Sequence, residues 1–126
     1  MSVSRIPVLF KFNNRLQVVG ELNRVLAPRT VETIARSMPL EGVIGASDGL
    51  LYFPTNLILG AEKPVQRLQR GSIAYWPICG GVCISVEDVA AKQSMSLIGR
   101  VVSGLEVLKE VRPGSSARLS AKAVDP

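Results

Sequence analysis

The side chains that could do chemistry in this chain are few, and their types exclude most catalytic sites. Two cysteines and no histidine occur among the 126 residues. A catalytic serine or cysteine that relies on a histidine as its general base is therefore excluded. Zinc sites that contain histidine are excluded as well. Cys79 and Cys83 are also too few for a four-cysteine zinc site within one chain.

The spacing of the two cysteines leaves their chemistry open. On one straight strand they would lie roughly 13 Å apart, too far for a disulfide. A tight turn at Gly80 and Gly81 would bring them closer. Two free thiols, with one of them a small core residue, and a redox pair are both compatible with this spacing.

The carboxylates predict no acid–base pair. Glu87 and Asp88 are the one adjacent pair in the sequence. On a strand, neighbouring side chains point to opposite faces, so this pair is a poor proton-transfer site and a poor metal site. We therefore expect a solvated loop there, and we expect no catalytic residue, no metal and no cofactor.

The aromatic residues are the better candidates for a binding site. Four of the six lie in two short blocks beside predicted turns, and they could line a groove for a small molecule or an extended peptide. The candidate ligand-binding residues are Tyr52, Phe53, Tyr75, Trp76, Pro77 and Met95. Alternatively, Phe53 and Tyr75 belong to the core and Trp76 covers one end of the fold.

Charge and hydropathy narrow the possible partners. The net charge is +5, but the basic residues are scattered and aromatic residues are only 5% of the chain, so specific nucleic-acid binding is not expected. No run of 18 apolar residues predicts a transmembrane helix, and residues 1–10 do not form a convincing signal peptide. These features predict a cytoplasmic protein that does not bind membranes.

The elements that must position these residues are mostly short strands. Period-two alternation predicts a strand over residues 5–12, and Asn13 and Asn14 make the turn to a second strand over residues 16–22. A helix over residues 28–38 begins at Pro28, carries one apolar stripe and ends before Pro39. This helix must lie on a sheet.

The rest of the chain predicts further strands with turns between them. Those predicted strands cover residues 43–46, 50–53, 72–76, 82–86, 96–102 and 117–121, and residues 56–59 could form another short strand. Residues 60–71 and 87–94 are polar and predict loops, and residues 105–111 predict a short helix. Seven to eight short strands favour a small closed barrel or a sandwich, formed by one domain over residues 1–126.

The C-terminal half carries a resemblance to a known family. Residues 96–111 resemble the C-terminal signature of cyclophilins, in which a strand with a Phe/Ile-Gly-Lys/Arg-Val-Val pattern turns at a glycine into a short helix. The whole chain is similar to a small family of cyclophilin-like proteins of archaea and bacteria whose function is unknown. Its markers here are residues 51–53, 71–77, 81–83 and 98–101. The resemblance implies a closed eight-stranded, mainly β barrel with the helix of residues 28–38 closing one end.

The resemblance also bears on catalysis. Cyclophilins isomerise an X-Pro bond with a guanidinium near the prolyl nitrogen and an apolar pocket for the ring. The strand that corresponds to their arginine strand is residues 50–53, which contain no arginine. Arg67 or Arg70 could supply a guanidinium from the predicted loop. We therefore expect a binding module for a small molecule or peptide, with a weak prolyl isomerase or a self-associating subunit as alternatives.

Overall fold

The computed structural model describes residues 4–122, except for the side chains of residues 91–93. Ten strands form most of this part of the chain. Their bounds are β1 Arg5–Phe12, β2 Leu16–Asn23, β3 Leu40–Val43, β4 Gly45–Ser47, β5 Leu50–Pro54, β6 Val65–Leu68, β7 Ser72–Trp76, β8 Gly81–Ser85, β9 Val89–Ser103 and β10 Ser116–Ala121. The helix α1 covers Pro28–Ser37, and a short 3₁₀ helix covers Leu105–Glu110. No helix within the described residues is both long and apolar enough to cross a membrane.

The main sheet is antiparallel and nearly closes on itself. Its strand order is β3-β10-β1-β2-β9-β7-β8-β5-β4. The sheet curves until β3 lies against β5, so that a Cβ added to Gly42 would be 2.6 Å from the carbonyl oxygen of Pro54. Only a glycine allows the two strands to approach this closely. The result is a barrel-shaped sheet.

The alternation of β1 and β2 fills the interior of this barrel. Val8, Phe10 and Phe12 on β1 are buried, as the period of two predicts. The apolar stripe of α1 packs into the same core through Val31 and Ile34, which are fully buried. As predicted, the helix lies against the sheet and begins at a proline.

A second, smaller apolar cluster lies outside the main core. Its buried members are Leu50, Leu68, Ala74, Cys83 and Met95. β6 and the first part of β9 pair with each other and cover this cluster, with Val65 opposite Met95. We call this cluster and the side chains packed on it the outer face.

The structure departs from the sequence expectation in local elements. There are ten strands rather than eight, because the predicted loop 60–71 contains β6 and one predicted strand is two separate strands, β3 and β4. The predicted loop 87–94 contains the start of β9, which lengthens a predicted strand. The predicted strand 43–46 is divided at Ile44 between β3 and β4, and residues 56–59 are not a strand. The predicted helix at residues 105–111 is a 3₁₀ helix. The class of fold, a mainly β barrel with two helices, is confirmed.

Candidate functional site

The two predicted aromatic blocks lie on adjacent parts of the sheet, because β5 and β7 both pair with β8. Tyr52 is opposite Cys83, and Ala74 is opposite Cys83 from the other side. Tyr52 and Trp76 both pack on the outer face, where their rings meet edge to face with centroids 5.4 Å apart. This arrangement is favourable for two aromatic rings and fixes their relative orientation.

The neighbouring residues of each block point to the opposite side of the sheet. Phe53 and Tyr75 are 2% and 0% exposed and belong to the main core. Phe53 packs edge to face on Phe10. The structure therefore divides the six candidate residues, because adjacent residues of a strand face opposite ways. Tyr52, Trp76 and Met95 share the outer face, whereas Phe53 and Tyr75 line the barrel interior.

Pro77 stands at the edge of the outer face. It begins the turn between β7 and β8, and its carbonyl oxygen accepts a hydrogen bond of 3.2 Å from the amide of Gly80. Gly80 has a φ of +63°, a conformation that a glycine adopts without strain. The turn holds Trp76 at the end of β7.

The indole nitrogen of Trp76 has an unusual environment. Nε1 is buried and has no hydrogen-bond partner, whereas the ring as a whole is only partly buried. An indole N–H can only donate, and a buried donor without an acceptor costs roughly 1–3 kcal/mol. Within the described residues, Nε1 of Trp76 is the single buried side-chain polar atom without a hydrogen-bond partner.

The hydroxyl of Tyr75 is, by contrast, fully used. It donates to the carbonyl oxygen of Leu57 at 2.9 Å and accepts from the amide of Leu59 at 3.1 Å. Both partners lie in residues 55–63, which we call the strap. Thr55 holds the start of the strap through its amide and hydroxyl, both of which donate to the carbonyl oxygen of Gly80.

The far end of the strap is held by Glu62. Its carboxylate accepts hydrogen bonds from the amides of Arg29 and Thr30 and from the Thr30 hydroxyl, at 2.8 to 3.1 Å. Its own amide donates to the hydroxyl of Ser96, which is fully buried. The cap residue of α1 is Ala27, which has no side-chain oxygen, so Glu62 supplies the cap from a distant segment.

Glu62 is also held in its charged form. Partial burial acts to raise its pKa, but the hydrogen bonds from Thr30 and Arg29 outweigh this effect and lower the pKa below 4.5. A cavity of about 580 Å³, lined by both polar and apolar residues, lies beside this contact. The Glu62 carboxylate occupies the N-terminus of α1, and its hydrogen bonds hold the strap against the helix.

The two cysteines are both free thiols. Cys83 is fully buried in the outer face, and burial raises the pKa of its thiol to about 12, with the nearby Cys79 adding to the effect. Cys79 is partly buried, and burial raises its pKa as well. Neither thiol has the lowered pKa of a nucleophilic cysteine.

No described residue brings an arginine onto β5. Arg67 lies on β6 and Arg70 follows that strand, and both are exposed. The described residues also contain no group of three or more histidine, cysteine, aspartate or glutamate side chains that could hold a metal ion. The outer face is thus built from apolar and aromatic side chains, with one N–H donor that lacks a partner.

Comparisons with known proteins agree with this geometry. The family model described as "Cyclophilin-like" matches residues 5–120. The chain belongs to the cyclophilin-like family. The solution structure of a hypothetical protein from Archaeoglobus fulgidus has the same fold, with a TM-score of 0.81 at 22% identity over 96% of this chain and 98% of that one. A search of curated protein sequences found no match.

A second structure shares the fold within a larger chain. McbB in complex with tryptophan matches 94% of this chain with a TM-score of 0.75 and 12% identity. The match covers 46% of the McbB chain. At these identities the two structures establish the fold of this cyclophilin-like protein. Its chemistry has to be argued from its own residues.

Proposed function

We propose that this cyclophilin-like protein is a non-catalytic binding module that takes a small molecule or a short extended peptide at Tyr52 and Trp76 on the outer face. The observation that carries the proposal is the buried, unpartnered Nε1 of Trp76. Because this nitrogen is covered, a ligand carbonyl oxygen would reach it only after a small shift of the covering side chains. The new hydrogen bond would then recover the free energy that the isolation of the donor costs.

The surroundings of Trp76 suit such a ligand. Tyr52 and Trp76 are partly buried, so one part of each ring is accessible while the other rests on the apolar cluster. Ligand sites in proteins combine apolar walls with a few polar groups in fixed positions. The part of the outer face around Tyr52 and Trp76 has both. McbB, which shares the fold, is seen with tryptophan bound, which supports a small molecule as the class of ligand.

The experiment uses the fact that the chain has a single tryptophan. In ¹⁵N-labelled protein, the indole N–H gives one resonance, which reports directly on Nε1. We would titrate a short peptide containing one X-Pro bond, and separately N-acetylproline amide as a small carbonyl fragment. We expect the indole resonance to shift with saturation, together with the amides of Ala74 and Cys83.

Two variants locate the binding. Trp76→Phe keeps an aromatic ring on the outer face but removes the donor, and it should weaken binding roughly three- to tenfold. Val102→Thr changes an exposed side chain on β9 and serves as the matched control, with unchanged affinity. An indole resonance that does not move with either probe would contradict the proposal for carbonyl ligands of this kind.

The same samples test catalysis. Cis–trans exchange of the X-Pro bond can be followed in the peptide spectrum at each protein concentration. The proposal predicts the uncatalysed rate. Faster exchange would show a prolyl isomerase and would direct attention to Arg67→Ala and Arg70→Ala.

A second candidate, self-association, is favoured by exposed apolar residues at one end of the barrel. Ile58 on the strap is 97% exposed and Ile78 in the β7–β8 turn is 70% exposed. The Thr55–Gly80 hydrogen bonds place the two segments next to each other. Light scattering across a concentration series would show a dimer that Ile58→Ser disrupts, whereas a concentration-independent monomer would remove this candidate.

A further inference from the structure

A cluster of charged side chains lies where β1, β2 and β9 run side by side. Glu21 on β2 is directly opposite Arg100 on β9, and Arg5 on β1 is opposite Asn23, two residues along β2. The Glu21 oxygen Oε1 is 3.0 Å from Nε of Arg100 and 3.9 Å from Nε of Arg5. We call these three residues the sheet triad.

The sheet triad borders a cavity of about 320 Å³. Its walls also include neutral polar side chains and apolar ones. The neutral polar residues are Asn23, Gln69 and Ser72, and the apolar ones are Leu26 and Leu97. The oxygen of the Asn23 side chain accepts a hydrogen bond from the amide of Val25, which leaves the amide nitrogen as the group that can donate to a ligand.

The charges of the triad do not cancel. Two guanidinium groups share one carboxylate, so the cavity carries a surplus of one positive charge. Arg100 contacts Glu21 through Nε, so its two terminal nitrogens are not the atoms that hold the carboxylate. A guanidinium presents paired N–H groups in a planar fork that matches the two oxygens of a carboxylate.

We propose that this cavity is a binding site for a small organic carboxylate with an apolar tail. The carboxylate would lie against Arg100 and Arg5, and the tail against Leu97 and Leu26. A single negative charge balances the surplus of the triad, whereas the dianionic form of inorganic phosphate would leave the site with net negative charge. This site is separate from the proposed site at Tyr52 and Trp76 and does not depend on it.

The protein contains a second cluster of the same composition, which serves as a control. Glu32 on α1 contacts Nε of Arg24 at 3.2 Å and Nε of Arg36 at 3.1 Å. Here each carboxylate oxygen contacts a different arginine, and the side chains of Arg36 and Arg100 are similarly exposed, at 78% and 67%. Arg36→Gln and Arg100→Gln therefore change the net charge equally while altering different surroundings.

The experiment measures benzoate binding to the ¹⁵N-labelled protein by chemical-shift titration at low salt, with benzamide and inorganic phosphate as the other probes. We expect benzoate to shift the amides of Gln69, Ser72 and Gly99 and the Nε–H of Arg100, whereas the neutral benzamide shifts them little. Arg100→Gln should weaken benzoate binding at least fivefold, and Arg36→Gln should leave it unchanged.

Three outcomes would overturn the proposal. Equal losses in Arg100→Gln and Arg36→Gln would show that only the overall charge matters. Unchanged benzoate binding in Arg100→Gln would place the ligand elsewhere. Tighter binding of inorganic phosphate than of benzoate would show that the site is not matched to a carboxylate. The indole resonance of Trp76 reports separately on the proposed site at Tyr52 and Trp76. A failure of the carboxylate site can therefore be distinguished from a failure of that proposed function.

Discussion

The polar groups of two similar side chains differ in their hydrogen bonding between the two faces of the sheet. Tyr75 and Trp76 are neighbours on β7, and each has an aromatic ring with one polar group. Inside the barrel, the Tyr75 hydroxyl has two partners on the strap. On the outer face, Nε1 of Trp76 has none. The Tyr75 hydroxyl is thus fully hydrogen-bonded in the interior, whereas the unsatisfied donor on the outer face is the ground for the ligand site that we propose there.

The largest expected effect comes from the interior. Phe53→Ala should lower the free energy of unfolding by about 3–5 kcal/mol, because it opens a cavity beside Phe10 in the closed part of the core. Tyr52→Ala, at the next position on the outer face, should cost clearly less because its ring is only partly buried. Urea unfolding of both variants measures the difference, and equal losses would contradict the division between the faces.

The next effect concerns the hydroxyl of Tyr75. Tyr75→Phe should destabilise the protein by about 1–2 kcal/mol, since it leaves the Leu57 carbonyl and the Leu59 amide without their partner. Trp76→Phe loses no hydrogen bond and should cost less. Hydrogen exchange at the Leu59 amide should quicken in Tyr75→Phe alone. If Trp76→Phe proved the more destabilising of the two, the packing of the indole on the outer face would outweigh the two hydrogen bonds of Tyr75.

A pH-dependent effect is expected from Glu62. Because the pKa of its carboxylate is lowered in the folded protein, it adds stability above pH 4.5, and that contribution is lost as the pH falls through the lowered pKa. At pH 7, Glu62→Gln keeps an acceptor oxygen but loses the negative charge at the N-terminus of α1, which should cost about 0.3–1 kcal/mol. Thermal unfolding at several pH values should show that the difference in stability between Glu62→Gln and the unaltered protein decreases at acidic pH.

Glu32 provides the matched comparison for that experiment. Hydrogen bonding to Arg24 also lowers the pKa of Glu32, but this carboxylate is exposed and caps no helix. Glu32→Gln should therefore change stability less than Glu62→Gln at pH 7. A larger loss in Glu32→Gln would mean that the strap contact does not fix α1.

The smallest effect on stability is expected from Cys79. Cys79→Ser should leave the free energy of unfolding within about 0.5 kcal/mol, as for other side chains outside the core. In the folded protein, a thiol reagent at pH 8 should modify Cys79 slowly and Cys83 only after unfolding, because burial raises the pKa of Cys83 to about 12. Mass spectrometry of the labelled protein identifies the site, and rapid labelling of Cys83 would show that the outer face opens.

Much of the barrel could be predicted because its signals are local. The alternation of Val8, Phe10 and Phe12 and the proline at the start of α1 each depend on a few neighbouring residues. β6 was not predictable in the same way. It follows Lys63 and Pro64, and its middle residues Gln66 and Arg67 are exposed, so its pattern is that of a loop.

The candidate site shows the same limit. Period-two alternation already separates Tyr52 from Phe53 and Tyr75 from Trp76, and this signal in the sequence could have divided the aromatic candidates between two faces. It does not say which member faces inward. The sheet triad was beyond sequence reasoning, because Glu21 and Arg100 are 79 positions apart and meet only through the register of β2 and β9.

The strand β9 has a consequence for how quickly the protein folds. It pairs with β2, β7 and β6, so it connects the N-terminal hairpin to the middle of the chain. None of these pairs can form before long loops have closed, and closing them costs entropy before the contacts repay it. We expect folding in milliseconds to seconds, as for other sheets dominated by distant pairings. Because β9 pairs with both β2 and β7, its completion joins the N-terminal hairpin to the rest of the main sheet.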